Sequence, residues 1–133
     1  MGNLIAGRWI STDQRPAGQF IRKDSQFRNW ITKDGSPGSS GVGGFKAEAG
    51  RYHLYASLAC PWASRALIFR SIKGLDESMV GLSVTHWLMA DQGWTFAPGE
   101  GVVADSVNGI DFPHRLNTRA NPTYSGRVSA PVL

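Results

Sequence analysis

The chain has 133 residues, a net charge of +4, one cysteine and 16 glycines, which allows one domain and excludes a disulfide-stapled secreted scaffold or a cysteine-rich zinc module. Hydrophobic residues at 41% and charged residues at 18% are proportions of a folded chain, not of a disordered one. The basic residues are scattered instead of forming a run, the longest uncharged stretch (78–90) is too short to span a bilayer, and no apolar leader opens the chain, so a cytoplasmic protein without nucleic-acid or membrane partners is expected.

Residues 1–34 hold Trp9, Phe20, Phe27 and Trp30 among charges with no sustained period, which predicts an irregular arm packed onto something else. Residues 35–44 are nearly all Gly, Ser and Pro and predict a flexible loop; no Gly-Lys-Ser/Thr follows, so it is not a phosphate-binding loop. Arm and loop (1–44) are thus separated from a domain over 45–133. From Tyr52 to Ser57 the residues alternate Tyr52, Leu54, Ala56 against His53, Tyr55, Ser57, the period of a strand with two different faces. Cys60-Pro61 then opens a helix, because a proline in the first turn lacks only an N–H that would be unpaired there anyway. Trp62, Ala63, Ala66, Leu67, Phe69 and Ile72 recur at helical spacing, with Trp62 and Phe69 expected in the core; Arg70 and Lys73 suit the last turn and Gly74 the stop. Residues 79–87 read as a second strand, which completes a βαβ unit. Residues 88–124 carry turn formers and isolated aromatics and predict a long insertion with at most short helices, a length that often marks a functional segment. Residues 127–133 look like another strand beginning, and a sheet ending there would expose a raw edge, so the chain is expected to be a fragment of something longer.

The chemistry centres on Cys60. A cysteine between a strand and a helix start sits where backbone N–H groups point outward, and their partial positive charge stabilises the thiolate, the reactive form. The residue three positions on is Ala63, not a second cysteine. A mixed disulfide at Cys60 must therefore be resolved by an external small thiol such as glutathione. The competing plain reading is a small buried hydrophobe. His53, His86 and His114 have no partner at metal-ligand spacing, so no metal is expected.

Several separated motifs sharpen the choice: Arg51-Tyr52-His53-Leu54-Tyr55, Leu58-Ala59-Cys60-Pro61-Trp62-Ala63, Gly93-Trp94-Thr95-Phe96, and Tyr124-Ser125-Gly126-Arg127-Val128 running into Pro131-Val132-Leu133, with Phe27-Arg28-Asn29-Trp30-Ile31 upstream. In this order they closely resemble the N-terminal half of glutathionyl-hydroquinone reductases, the xi class of glutathione transferases, over roughly residues 15–133. The resemblance implies an α/β, thioredoxin-like domain (the glutathione transferase N-terminal domain), cut before its sheet is complete. It implies that Cys60 attacks the sulfur of a glutathione thioether on a hydroquinone and is released by a second glutathione, so that glutathione is the co-substrate and a glutathionylated quinol the partner.

By the same resemblance, Trp94 lies against glutathione, Arg127 pairs with its carboxylate, and Ala130, before a cis Pro131, bonds the peptide through its backbone, with Pro61 structural beside the cysteine. Ser64 stands where the family commonly has histidine, and Ala130 where it usually has valine. The Glu-Ser pair that holds the γ-glutamyl end and the C-terminal helical domain, with its quinol-pocket tyrosines and homodimer contacts, lie beyond this sequence. The alternatives are an omega-like thiol transferase or dehydroascorbate reductase, which shares the Cys-Pro thiolate, and a non-catalytic fragment.

Overall fold

The computed structural model describes residues 2–11 and 24–133; Phe20 lies outside them. Instead of a wholly irregular arm, the chain opens with a hairpin of β1 (Asn3–Ile5) and β2 (Arg8–Ile10), in the register Asn3↔Ile10, Leu4↔Trp9, Ile5↔Arg8. Its two-residue turn has positive φ at both positions, Ala6 (46°) and Gly7 (76°), as a tight hairpin turn requires. Strands of three residues are too short to show a period, and Ala-Gly is a weaker turn signal than Asn-Gly, which is why the pattern is silent here.

β3 (Trp30–Thr32) and β4 (Gly44–Lys46) pair in parallel, so the Gly/Ser-rich segment spans from one strand to the other. That segment is bonded, not loose. Asp34 Oδ1 accepts from the N–H and hydroxyl of Ser36, the Trp30 indole N–H donates to Ser40 Oγ (2.9 Å), and the Ser40 hydroxyl donates to the Arg28 carbonyl. The Ser36 hydroxyl and N–H hold the Asp34 carboxyl below the ordinary carboxylate range. Strand β4 runs across the expected 44/45 boundary and pairs with β3 on its N-terminal side, and the Tyr52 hydroxyl donates to the Lys46 carbonyl.

The central unit is β5 (Tyr52–Ser57), α1 (Pro61–Ile72) and β6 (Val80–Thr85), with β5 and β6 parallel from Tyr52↔Val80 to Ser57↔Thr85. Gly74 (φ 62°) ends the helix in the left-handed region, with Leu75 N–H on the Arg70 carbonyl. Arg70 forks onto the Val80 carbonyl through Nε and Nη2 and reaches Glu77, pinning the α1–β6 turn. α2 (His114–Ala120) is the one helix of the long segment after β6.

Both faces of β5 are covered towards its C-terminal end, where Leu54, Tyr55, Ala56 and Ser57 are all buried: α1 packs on β5 and Phe96 meets Tyr55 edge-on at 6.1 Å. One expectation needs correction. Trp62 and Phe69 are 56% and 64% exposed and do not belong to the core. Of the α1 residues only Ala63 is buried, so most of the helix's apolar stripe is left outside the described core. Trp62 instead carries the Arg65 guanidinium at 4.6 Å over its ring. Because Ala63 is fully buried, Ala63→Leu is expected to destabilise the fold by about 1–3 kcal/mol through overpacking, read as a lower urea midpoint with unchanged slope.

Candidate functional site

Cys60 is the N-cap residue of α1, with extended backbone (φ −104°, ψ 115°), and Pro61 occupies the start of the first turn. No side chain caps this helix end and its first turn carries no acidic residue. The unpaired N–H groups of the first turn therefore have no built-in anion among the described residues, and they open beside the N-cap residue, Cys60. Ser64 does not serve the thiol: its N–H and hydroxyl both turn back to the Cys60 carbonyl (3.2 and 3.4 Å).

The half-buried Cys60 thiol donates to the Ala130 carbonyl at 3.4 Å. The Ala130–Pro131 peptide bond is cis, as the resemblance implies, and the next residue, Val132, exchanges both backbone hydrogen bonds with Tyr55 of β5 (2.7 and 2.9 Å). Cys60, Pro61, Ala130 and Pro131 are thus gathered at one place, although 70 positions separate the cysteine from Ala130.

Trp94 is half-buried in the turn after β6. Ala90 and Gly93 exchange two backbone hydrogen bonds just before it, and the Thr95 carbonyl just after it accepts from the His86 N–H at 2.8 Å. With Trp9, His114 and Val128, Trp94 lines a cavity of about 10 Å³, too small for a peptide. Arg127 is exposed and its carbonyl accepts from the Tyr124 hydroxyl at 3.0 Å. Residues 127–133, expected to begin a strand, form no regular one and meet β5 through a bridge at Val132; they link two groups of residues, Val128 beside Trp94 and Ala130 beside Cys60.

Sequence reasoning passes over several residues here. Trp9 stacks on His114 (5.0 Å, 19°), which in turn stacks on Phe112 (5.4 Å, 12°), and burial, with a smaller effect of Arg115, pushes the His114 imidazole below its usual range. Ser57 and Thr85, register partners at the ends of β5 and β6, bury hydroxyls that have no hydrogen-bond partner among the described residues. Nothing in a local pattern marks these residues, since each takes its role from a segment far along the chain. Among the described residues no group of three His, Cys, Asp or Glu could hold a metal ion, and no helix is long and apolar enough to cross a membrane.

No protein-family model matches the chain. Its whole length is 50% identical, over 137 aligned residues, to the glutathionyl-hydroquinone reductase YqjG of Escherichia coli, and 38% identical to a glutathione S-transferase omega-like protein of Schizosaccharomyces pombe. The structure superposes on the xi-class glutathione transferase of Natrialba magadii with a TM-score of 0.83 at 40% identity over 99% of the chain. Over its whole length the chain corresponds to a part of the xi-class glutathione transferases. The glutathione-bound structure of E. coli YqjG, itself described as a glutathione transferase homologue, matches with a TM-score of 0.81 at 46% identity over 98% of the chain. The chain spans 42% and 39% of the length of the two curated relatives and 38% and 39% of the YqjG and Natrialba magadii structures. The thioredoxin-like α/β assignment follows from these superpositions, and β5–α1–β6 is its βαβ unit.

Proposed function

We propose that the protein reduces glutathionyl-hydroquinones to hydroquinones with glutathione as co-substrate. The Cys60 thiolate attacks the glutathionyl sulfur of the aryl thioether. A sulfur–sulfur bond forms, the carbon–sulfur bond breaks, and its electron pair stays on the ring carbon, which takes up a proton. A second glutathione thiolate then attacks the mixed disulfide, leaving as oxidised glutathione and returning Cys60 to the thiolate. The observation that carries this reading is the Cys60 thiol at an uncapped helix start, 3.4 Å from the Ala130 carbonyl, two residues before the Val132 bridge to β5. An extended peptide docks on such backbone by strand addition, and the likeness to a reductase of this name and to a glutathione-bound homologue supports glutathione as that peptide.

In this reading Trp94 lies against glutathione, the Ala130 backbone bonds it, and the Arg127 guanidinium pairs with a carboxylate. Arg127→Ala in the full-length protein is expected to raise the KM for glutathione about tenfold or more, the value of a lost charge-assisted hydrogen bond, with a smaller change in kcat, measured by steady-state kinetics at varied glutathione.

The similarity to an omega-like protein favours a second reading, a thiol transferase on simple mixed disulfides. Product analysis separates the two. Incubation with a glutathionyl-hydroquinone and glutathione should release free hydroquinone and oxidised glutathione in equal amounts; turnover of a simple glutathione mixed disulfide with no hydroquinone release would favour the second reading.

A further inference from the structure

The N-terminal hairpin touches the segments that carry both side chains assigned to glutathione. On one side the Trp9 indole N–H of β2 donates to the Asp91 carbonyl at 2.8 Å, three residues before Trp94. Its ring also lies so close to Gly93 that a Cβ built there would stand 2.9 Å from Trp9 Cη2. On the other side Leu4 of β1 exchanges two backbone hydrogen bonds with Gly126 (3.0 and 2.9 Å), the Gly7 N–H donates to the Tyr124 carbonyl (2.9 Å), and the Ala6 N–H donates to Ser125 Oγ (2.8 Å). Gly126 immediately precedes Arg127. Leu4 and Trp9 face each other across the hairpin, and Leu4 is 1% exposed. One two-stranded unit therefore bonds to both the turn of Trp94 and the segment of Arg127, and the small cavity between Trp9, His114, Trp94 and Val128 is where the two meet.

We propose that Trp9 is a positioning residue for glutathione binding, acting through the 91–94 turn on Trp94 while the hairpin holds Arg127 in register. This rests on the assignment of Trp94 and Arg127 to glutathione. It does not involve Cys60, whose partners are the Ser57 and Ala130 carbonyls and Ser64. The hairpin thus acts on affinity and leaves the thiol chemistry alone.

The test is Trp9→Phe in the full-length protein, which keeps an aromatic ring to stack on His114 and removes the N–H donated to Asp91, with Trp9→Ala as the stronger variant. For Trp9→Phe the KM for glutathione is expected to rise about three- to tenfold, the value of one lost hydrogen bond, with kcat and the rate of Cys60 alkylation by iodoacetamide unchanged. Trp9→Ala is expected to raise KM further while its alkylation rate stays that of the parent, which reports an intact cysteine loop. A lowered thermal midpoint with an unmoved KM makes Trp9 merely structural and overturns the proposal. A parallel fall in kcat and alkylation rate overturns it too, because the hairpin would then act on the cysteine. Failure of the parent protein to turn over with glutathione overturns the functional reading and this inference together, whereas parent turnover with an unmoved Trp9→Phe overturns this inference alone.

Discussion

Cys60→Ser is expected to lower glutathione-dependent release of hydroquinone by at least about a thousandfold, the order of loss seen when a nucleophile is removed and only binding and electrostatics remain. The helix start does for a thiol what it cannot do for a hydroxyl. A thiol is a far stronger acid than a hydroxyl, and the N–H groups of the first turn, with no acidic side chain competing for them, favour an anion at the N-cap. A serine hydroxyl at the same N-cap stays protonated and forms no disulfide. The fold should not change, because serine can donate to the Ala130 carbonyl as the thiol does and serine is a favoured N-cap residue. The decisive measurement is mass spectrometry of the parent stopped before a second glutathione arrives. One glutathionyl group should sit on Cys60, and none on Cys60→Ser. An adduct on the serine variant, or full turnover by it, would remove Cys60 from the mechanism.

What the sequence discloses follows the range of the forces involved. β5, α1 and β6 are legible because each is a regular element whose signal is local: strand alternation, a proline in the first turn, a glycine with positive φ as the stop. Cys60 is legible for the same reason, as its environment is the helix that begins beside it. Trp62 and Phe69 are misread because helical spacing marks an apolar stripe without saying how wide a sheet lies beneath it. Trp9, Leu4 and the bonded Gly/Ser segment are invisible because their partners, Asp91, Gly126 and Arg28, lie 12 to 122 positions away. The meeting of Ala130 with Cys60 is intermediate: no local pattern implies it, but the resemblance of separated motifs does.

The largest stability effect is expected at Asp105, a carboxylate 7% exposed in the segment after β6. Its Oδ1 accepts from the Tyr55 hydroxyl (2.9 Å) and the N–H groups of Val107 and Asn108 (3.0 and 3.1 Å), and its Oδ2 from the Ile110 N–H (3.3 Å). Asn108 closes the network by donating its side-chain N–H to the Tyr55 oxygen (2.8 Å). Through these bonds one side chain folds the 105–110 turn and fastens it to the middle of β5. Asp105→Ala leaves several buried donors unpaired and is expected to cost about 3 kcal/mol or more. Asp105→Asn, which can keep the Oδ1 acceptor but sets an NH₂ against the Ile110 N–H, should cost less.

The pH dependence distinguishes this network from simple packing. Burial alone raises the Asp105 carboxyl, but the N–H groups of Asn108, Val107 and Ile110 together with the Tyr55 hydroxyl outweigh it and leave it below the ordinary value. A carboxyl lowered by folding contributes stability that is present above its unfolded value of about 3.9 and is lost as pH falls through the folded one. Tyr55 is the opposite case: burial first, then the Asp105 hydrogen bond, push its hydroxyl up to about 12. Its contribution, about 2–3 kcal/mol for a shift of this size, is full below about pH 10 and is lost as pH rises through the folded value near 12. Urea unfolding across pH should therefore show stability declining at both ends. Tyr55→Phe should flatten the alkaline decline, while Asp105→Ala should weaken both but abolish neither, because burial still raises Tyr55 and Ser78 still lowers Asp76. An alkaline limb unchanged in Tyr55→Phe would assign that limb to other groups and reduce the Tyr55–Asp105 bond to a packing contact.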